Sequence, residues 1–354
     1  MNHQAVEQEE LADLCHRALA EGKVAEVESI SALTGGGESY VYRADVVFAD
    51  GQRDSLVLRS CQRGLARARL ELSALQHVVA HGFGAPTPIS LVPAGPRGLP
   101  WLVLGYVEGR LLTDVMRDCS DQLERAPWLG RLGRHMAALH ALPFEPLADA
   151  PDPPLVSKYP KALLLARLQT MREGFERFGQ TELIAVVDWA QKRIEAADAM
   201  GPAIVHYDVH PNNVIVDGDD RLHLLDWSVV HVGDPRFDVA MACAILGAHG
   251  GAALASMLVA EYERCHGAQL QDLGVFEALV GATNLLRFLL AMPAEPLSDE
   301  ARAALPQFAR PRQRRRALSR YLPTVGYFHD LITRSSGIRV AAAEELLRRA
   351  GAGS

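Results

Sequence analysis

The segment of residues 205–228, "VHYDVHPNNVIVDGDDRLHLLDWS", concentrates side chains that could do chemistry. His206, Asp208 and His210 alternate in it. On a strand these three side chains would point to one face and could hold a divalent metal such as zinc. Pro211 favours a loop over a strand, and a carboxylate in a loop can orient an attacking hydroxyl group. On these residues alone, a metal site and a phosphoryl-transfer site both stay open.

A predicted hairpin follows directly. The runs "NVIV" and "LHLL" flank "DGDD", which is typical of a tight antiparallel turn. Strands of equal length then return Asp226 beside Asn213. An amide oxygen and a carboxylate are hard ligands that suit Mg²⁺, which proteins typically hold through one or two groups plus substrate phosphates. With Asp208 five residues before Asn213, the order matches the kinase layout of one base and two metal ligands.

Composition limits the class of protein. A chain of 354 residues exceeds the usual single domain, so we expect two lobes that meet at a cleft. The formal charge of -7 and the pI near 6.0 argue against a nucleic-acid partner. The five cysteines form no Cys-x-x-Cys pair, and the acidic N-terminus has no apolar signal-peptide core. Both observations favour a cytoplasmic location.

One segment has the low charge that is typical of a membrane-spanning helix. Residues 239–260 are almost free of charge, but Gly250 and Gly251 beside His249 divide them into two halves. Each half is shorter than the roughly 20 residues that a bilayer requires. The pattern therefore predicts two buried helices and no membrane partner.

The first third of the chain reads as a small sheet with a helix. A leading amphipathic helix is predicted over residues 5–22. Two β-rich runs, Tyr40–Phe48 and Ser55–Ser60, flank the hairpin signal Asp50-Gly51. A helical pattern over Leu65–Val79 and the apolar strand candidate "PWLVLGYVEG" follow.

The rest of the chain is mainly helical. Helical periodicity begins near Leu111, and a helical insertion is predicted at about 155–199. A basic run, "RPRQRRR", follows much later. The predicted class is α+β, with an N-terminal lobe over 1–106 and a C-terminal lobe over 107–354.

Three motifs in this order, "HYDVHPNN", "LLDWS" and "GDPRFDVA", resemble the aminoglycoside phosphotransferase and choline kinase superfamily of small-molecule kinases. The resemblance implies a bilobal protein-kinase-like fold, with a small N-terminal β-sheet lobe and a larger helical C-terminal lobe. It implies ATP as phosphate donor, with GTP not excluded, and Mg²⁺. It also implies Asp208 as catalytic base, Asn213 and Asp226 as Mg²⁺ ligands, and Asp238 as an acceptor of backbone bonds from the catalytic loop.

The residues next to Asp208 in the sequence indicate their roles less clearly. His210 lies where protein kinases have a lysine, so it either contacts the γ-phosphate or packs within its own loop. His206 is interpreted as a buried residue that supports the loop. Tyr207 stands where the family most often has a small residue, and the sequence offers no account of it.

The segment "LTGGGES" resembles a phosphate-covering loop. Its residues Gly35, Gly36, Gly37 and Ser39 could present successive backbone N–H groups to phosphate oxygens, because glycine adopts the required conformations easily. A simple turn is the alternative interpretation.

Four further residues are candidates for nucleotide binding. Arg59 replaces the lysine expected in the third strand and keeps its positive charge; the alternative is an exposed edge-strand arginine. Glu71 is the candidate ion-pair partner of Arg59, or else a solvated helix residue. The main chain from Leu104 to Tyr106 is predicted to form the hinge that contacts adenine.

The resemblance implies transfer of phosphate to a hydroxyl group of a small molecule. We expect an aminoglycoside, a macrolide or another natural product, or alternatively a sugar or amino alcohol. A polycationic aminoglycoside requires an acidic pocket. Four carboxylates could line such a pocket, namely Glu261, Glu263, Asp272 and Glu277. The chain from residue 241 onward nevertheless has ten Asp and Glu against thirteen Arg.

A metallohydrolase and an inactive nucleotide-binding module remain alternatives, and the sequence indicates no oligomeric state.

Overall fold

The computed structural model divides into two compact units. Unit one comprises the residues up to Leu112 together with Asn213–Val230, and unit two comprises Thr113–Asn212 and the residues from His231 onward. The sequence-based division at residues 106 and 107 assigns the hairpin to the C-terminal lobe, and that division stays a prediction. The structure describes residues 6–19, 23–33, 39–148, 160–196, 200–291 and 314–351.

Unit one contains an antiparallel five-stranded sheet with the strand order β1-β2-β3-β5-β4. The predicted hairpin between β2 and β3 is present: the Phe48 amide donates to the Gln52 carbonyl at 2.8 Å. Gly51 at the turn has φ +83°, a conformation that glycine adopts without strain. The strands are β1 (Val24–Ala32), β2 (Val41–Phe48), β3 (Arg53–Ser60), β4 (Pro88–Val92) and β5 (Trp101–Gly105).

Strand β1 was not predicted. It lies at the edge of the sheet, and most of its side chains are exposed, including Glu26 and Glu28. Strand signals in a sequence come mainly from buried apolar residues, so an edge strand of this composition gives a weak pattern.

Two helices accompany the sheet. Helix α1 (Gln8–Ala18) is shorter than the predicted 5–22, of which residues 5 and 20–22 lie outside the described ranges. Its Leu11 and Leu14 pack in one core cluster with Trp101 of β5. Helix α2 (Leu65–Ala80) confirms the predicted helical pattern.

A second sheet of unit one contains the hairpin that was predicted within residues 205–228. Its order is β6-β8-β9. Gly109, just before β6, is required because a Cβ there would lie 2.2 Å from the Val216 carbonyl oxygen. The strands are β6 (Arg110–Leu111), β8 (Val214–Val216) and β9 (Leu222–Leu224).

Unit two is mainly helical, with one short antiparallel pair, β7 (Ala203–Val205) and β10 (His231–Gly233). Phe276, Phe328 and Leu279 are among the residues of its apolar core. The predicted insertion at 155–199 contains α6 and α7. The helices are α3 (Leu112–Asp118), α4 (Gln122–His140), α5 (Glu145–Ala148), α6 (Pro160–Arg177), α7 (Thr181–Ala196), α8 (Arg236–Gly250), α9 (Ala252–His266), α10 (Leu273–Ala291), α11 (Arg314–Ser336) and α12 (Ala341–Gly351).

The prediction of two helices divided at Gly250 and Gly251 is confirmed, but only α8 is largely buried, whereas α9 buries one face. Helix α8 ends at Gly250, and α9 begins after Gly251, whose φ is +86°. Another stretch, Leu273–Leu290 of α10, is long and apolar enough to cross a membrane by composition alone. It packs against α7, α8 and α11 and is largely buried, as expected of a core helix.

Candidate active site

The β8–β9 hairpin brings Asn213 next to Asp226, as predicted. Val214 pairs with Leu224, and the Leu225 amide donates to the Asn213 carbonyl at 2.7 Å. Asp226 has φ +57° and ψ +67°, a left-handed conformation that Asp adopts more readily than most residues. The turn in the backbone leaves its side chain 45% exposed.

Arg59 forms a buried ion pair with Glu71, which confirms the predicted partner. Both side chains are almost inaccessible to solvent. The alternative interpretations, an exposed edge-strand arginine and a solvated helix glutamate, are therefore wrong. Arg59 Nη1 also lies 3.6 Å from Asp226 Oδ1. Burial opposes the charged form of Arg59, but the carboxylates of Glu71 and Asp226 outweigh it and raise the pKa of Arg59. Phosphate contact by Arg59 stays a prediction.

Helix α2 also holds the backbone that follows Asp226. The buried Arg67 donates from Nε to the Ser228 carbonyl at 3.0 Å and from Nη2 to the Val230 carbonyl at 2.6 Å. Arg67 precedes Glu71 by four residues, so the two side chains lie on the same face of α2. One helix therefore positions both the partner of Arg59 and the segment after Asp226.

The predicted base, Asp208, lies in a loop of unit two that follows β7. Asp238 of α8 accepts the amide of His206 at 2.8 Å and the amide of Tyr207 at 2.6 Å. This confirms the predicted role of Asp238, which is fully buried. His140 Nε2 lies 3.1 Å from the same carboxylate, and its Nδ1 lies 2.8 Å from the Tyr262 hydroxyl. Two amides and an imidazole thus satisfy a buried carboxylate that would otherwise be costly.

Asp208 remains ionised in this loop. Burial disfavours its charged form, but His210, followed by His206 and Arg287, more than compensates and lowers the pKa of Asp208 to about 2. His210 Nε2 lies 3.5 Å from Asp208 Oδ1. A carboxylate of such low basicity is suited to orienting a hydroxyl group and accepting its proton late in the reaction.

The zinc hypothesis for His206, Asp208 and His210 is wrong, because its premise of a strand fails. The strand ends at Val205, and Tyr207 has φ +64°, which breaks the alternation of side chains. His206 is fully buried, and its Nδ1 accepts the Asp208 amide at 3.3 Å, so it supports the loop as predicted. Within the described ranges, no three His, Cys, Asp or Glu side chains are grouped to hold a metal ion.

The structure accounts for Tyr207. Its ring contacts His231 edge-on and also packs on Phe237, with centroid distances of 5.5 and 5.2 Å. The Arg167 guanidinium of α6 lies 5.1 Å above its centroid. A Cβ at position 233 would lie 2.7 Å from the Tyr207 hydroxyl, so the ring requires Gly233. Tyr207 therefore packs the loop that carries Asp208 against β10, α8 and α6.

The other predicted nucleotide contacts are only partly visible. Gly35, Gly36 and Gly37 lie outside the described residues, and Ser39 lies two residues before the start of β2. Leu104 is buried in β5. The amides of Gly105 and Tyr106 donate to the Thr87 and Ser55 carbonyls at 2.8 and 3.0 Å. Adenine recognition around Leu104 to Tyr106 stays a prediction, and it cannot use these two amides while they remain in the sheet.

Sequence reasoning missed two supporting residues, Arg67 and His140. The four-residue spacing between Arg67 and Glu71 could have suggested a shared role on α2. His140 contacts Asp238 across 98 positions of sequence, and no local pattern indicates such a partner.

Comparison with known proteins identifies the family. A sequence profile of the phosphotransferase enzyme family, APH, matches residues 29–279, more than half of the chain. The matched residues include the β8–β9 hairpin, the loop that carries Asp208, and Arg59. No curated protein sequence matches the chain.

Solved structures share the fold at low sequence identity. One, provisionally named an aminoglycoside phosphotransferase from Ralstonia eutropha JMP134, has a TM-score of 0.63 at 16% identity and covers 93% of this chain and 99% of its own. A choline/ethanolamine kinase family protein from Mesorhizobium loti has a TM-score of 0.58 at 16% identity, covering 95% and 99%. An amicoumacin kinase solved with AMP-PNP and Ca²⁺ has a TM-score of 0.56 at 15% identity, covering 86% and 92%. These likenesses show the fold. The profile match shows that the chain belongs to the phosphotransferase enzyme family, as a small-molecule kinase.

Proposed function

We propose that this protein transfers the γ-phosphate of ATP to a hydroxyl group of a small molecule, with Mg²⁺ as the metal. The observation behind the proposal is the hairpin that brings Asn213 to Asp226, with Asp226 in contact with the buried Arg59–Glu71 pair. The amicoumacin kinase with AMP-PNP and Ca²⁺ supports a nucleotide and a divalent cation. The acceptors named for the similar structures include both antibiotics and amino alcohols.

The metal-binding residues fit Mg²⁺. Asp226 Oδ1 faces the Ser228 amide at 3.4 Å and Arg59 at 3.6 Å, whereas Oδ2 accepts no hydrogen bond from the described residues. This free carboxylate oxygen and the amide oxygen of Asn213 are hard donors of the kind Mg²⁺ prefers. When bound, the metal would neutralise charge on the transferred phosphoryl group.

Asp208 is the proposed base. The acceptor oxygen forms its bond to the γ-phosphorus, the bond from that phosphorus to the bridging oxygen breaks, and ADP leaves. The hydroxyl proton passes to Asp208. Because its pKa is about 2, Asp208 orients the hydroxyl group and receives the proton only as the transfer proceeds.

Calorimetry of Mg-nucleotide binding tests the hairpin part of this proposal. Asp226→Ala should abolish the Mg²⁺-dependent gain in affinity for a non-hydrolysable ATP analogue, because it removes the charged ligand. Asn213→Ala should weaken that gain less, because it removes a neutral one. Asp219→Ala, an exposed residue of the hairpin turn, serves as control. Unchanged Mg-nucleotide binding in Asp226→Ala would contradict the assignment.

A further inference from the structure

Arg167 of α6 lies against Tyr207 and has no hydrogen-bond acceptor among the described residues. Arg167 Nε is inaccessible to solvent and has no partner, and no described residue accepts from any other N–H of this guanidinium. A buried donor without an acceptor is costly. Guanidinium groups bind carboxylates and phosphates through two parallel hydrogen bonds.

Tyr207 fixes the orientation of this guanidinium. The Arg167 Cζ atom lies 5.1 Å from the Tyr207 ring centroid, and Tyr207 is the residue directly before Asp208. A cation above an aromatic face is attracted to it, and this contact holds the guanidinium against the ring. The Nη groups of Arg167, for which no described residue is an acceptor, are therefore the donors that can bind a ligand beside Tyr207.

A second cation acts on the same carboxylate. Arg287 of α10 is exposed, and its charge contributes to the low pKa of Asp208. No described residue pairs with it in a salt bridge. Helix α6 thus places one arginine against Tyr207, and α10 contributes a second positive charge that acts on Asp208. Neither arginine forms a salt bridge with a described residue.

The carboxylates that could have formed an acidic pocket are already engaged. Glu261 pairs with Arg134 and Arg264, Asp272 with Arg193, and Glu277 with Arg334. Glu263 accepts the Leu270 amide at 2.8 Å. A polycation would have to compete with these contacts, and a pocket lined by the four carboxylates stays a prediction.

We propose that the acceptor is an anionic hydroxyl compound, with a carboxylate or phosphate group that Arg167 and Arg287 bind while Asp208 orients the hydroxyl. This inference rests on the proposed kinase function and names its substrate class. A polycationic acceptor would approach two arginines that form no salt bridge with a described residue, and like charges brought together cost binding free energy. The two arginines determine specificity and take no part in the proton transfer.

The class can be tested before the acceptor is known. A cell metabolite extract is separated by anion exchange into retained and unretained fractions, and each is incubated with the protein, Mg²⁺ and γ-labelled ATP. Label should enter small molecules of the retained, anionic fraction. Label that enters chiefly the unretained fraction, or kanamycin as a polycationic probe, would overturn the inference while the kinase function stands. No label in any fraction would refute the proposed function itself.

Variants then test the two arginines. KM for the acceptor is measured with the labelled retained fraction and with hydroxy acids such as 3-hydroxybutyrate, which is compared with the neutral 3-hydroxybutyramide. Arg167→Gln and Arg287→Gln should each raise this KM about ten-fold or more. KM for ATP should stay unchanged. Arg177→Gln, an exposed arginine of the same α6, is the matched control. An unchanged acceptor KM in both variants would show that the arginines do not select the acceptor.

Discussion

At the scale of single residues, two carboxylates have different tasks because their surroundings differ. Asp208 is held among histidines and arginine, which keep it ionised. Asp226 lies beside Arg59, and one of its oxygens accepts no hydrogen bond from the described residues. In the proposed function the first carboxylate orients a hydroxyl group and the second binds a cation.

Asp208→Ala should lower kcat by roughly 10² to 10⁴, because positioned general-base catalysis contributes about that much. Affinity for Mg-nucleotide should stay near that of the wild type, since Asp208 is not a proposed metal ligand. The measurement is steady-state phosphate transfer together with calorimetry. Near-normal turnover in this variant would remove Asp208 from the mechanism.

The low pKa of Asp208 also predicts a pH dependence of stability. The folded-state value of about 2 lies below the ordinary 3.8, so ionised Asp208 stabilises the fold above about pH 4. That stabilisation is lost as the pH falls from about 4 towards 2. Thermal unfolding should show a difference in Tm between the wild type and Asp208→Asn at pH 5 that becomes smaller as the pH falls from about 4 towards 2. A difference that does not change between pH 5 and 2 would assign the effect to another group.

At the scale of elements, α2 links two parts of the proposed nucleotide site. Glu71 orients Arg59 in β3, and Arg67 binds the backbone that follows Asp226. Trp227 also holds this segment, because its indole donates to the Leu224 carbonyl at 2.8 Å. A small displacement of α2 would therefore move both Arg59 and Asp226.

Arg67→Ala should lower Tm and weaken Mg²⁺-dependent nucleotide binding together. It removes the donors of two carbonyl groups, at roughly 1 to 3 kcal/mol for each group left unsatisfied. Arg67→Lys should recover part of both effects, since an ammonium lacks the planar fork of a guanidinium. Arg69→Ala, an exposed neighbour on α2, is the control. A lower Tm with unchanged Mg-nucleotide affinity would limit Arg67 to a structural role.

At the scale of the whole molecule, the chain has little room for a peptide substrate segment. Only six residues separate Asp226 from the "GDPRFDVA" motif, and β10 and the start of α8 already use this region. A long activation segment, of the kind that holds a peptide, is absent from this part of the sequence. Labelled phosphate should therefore pass from ATP to small hydroxyl compounds and not to a generic protein substrate. Transfer only to protein would contradict this prediction.

The sequence by itself determined the local features of the site. Turn residues between two apolar runs fixed the β8–β9 hairpin, and with it the approach of Asn213 to Asp226. Pro211 indicated a loop for the base, and the helical pattern of α2 located Glu71. These features could be predicted because turn chemistry and periodicity act over a few neighbouring residues.

The tertiary structure decided which distant groups meet. His140 satisfies Asp238 across 98 positions, Arg67 binds the carbonyls of Ser228 and Val230 across 161 and 163 positions, and Arg167 lies on Tyr207. Periodicity indicates that a residue is buried but not which partner it contacts, because a buried polar group needs only a complementary group that packing brings within reach. For the same reason, the charges around Asp208, and the acceptor class inferred from them, followed from how α6 and α10 pack in the fold.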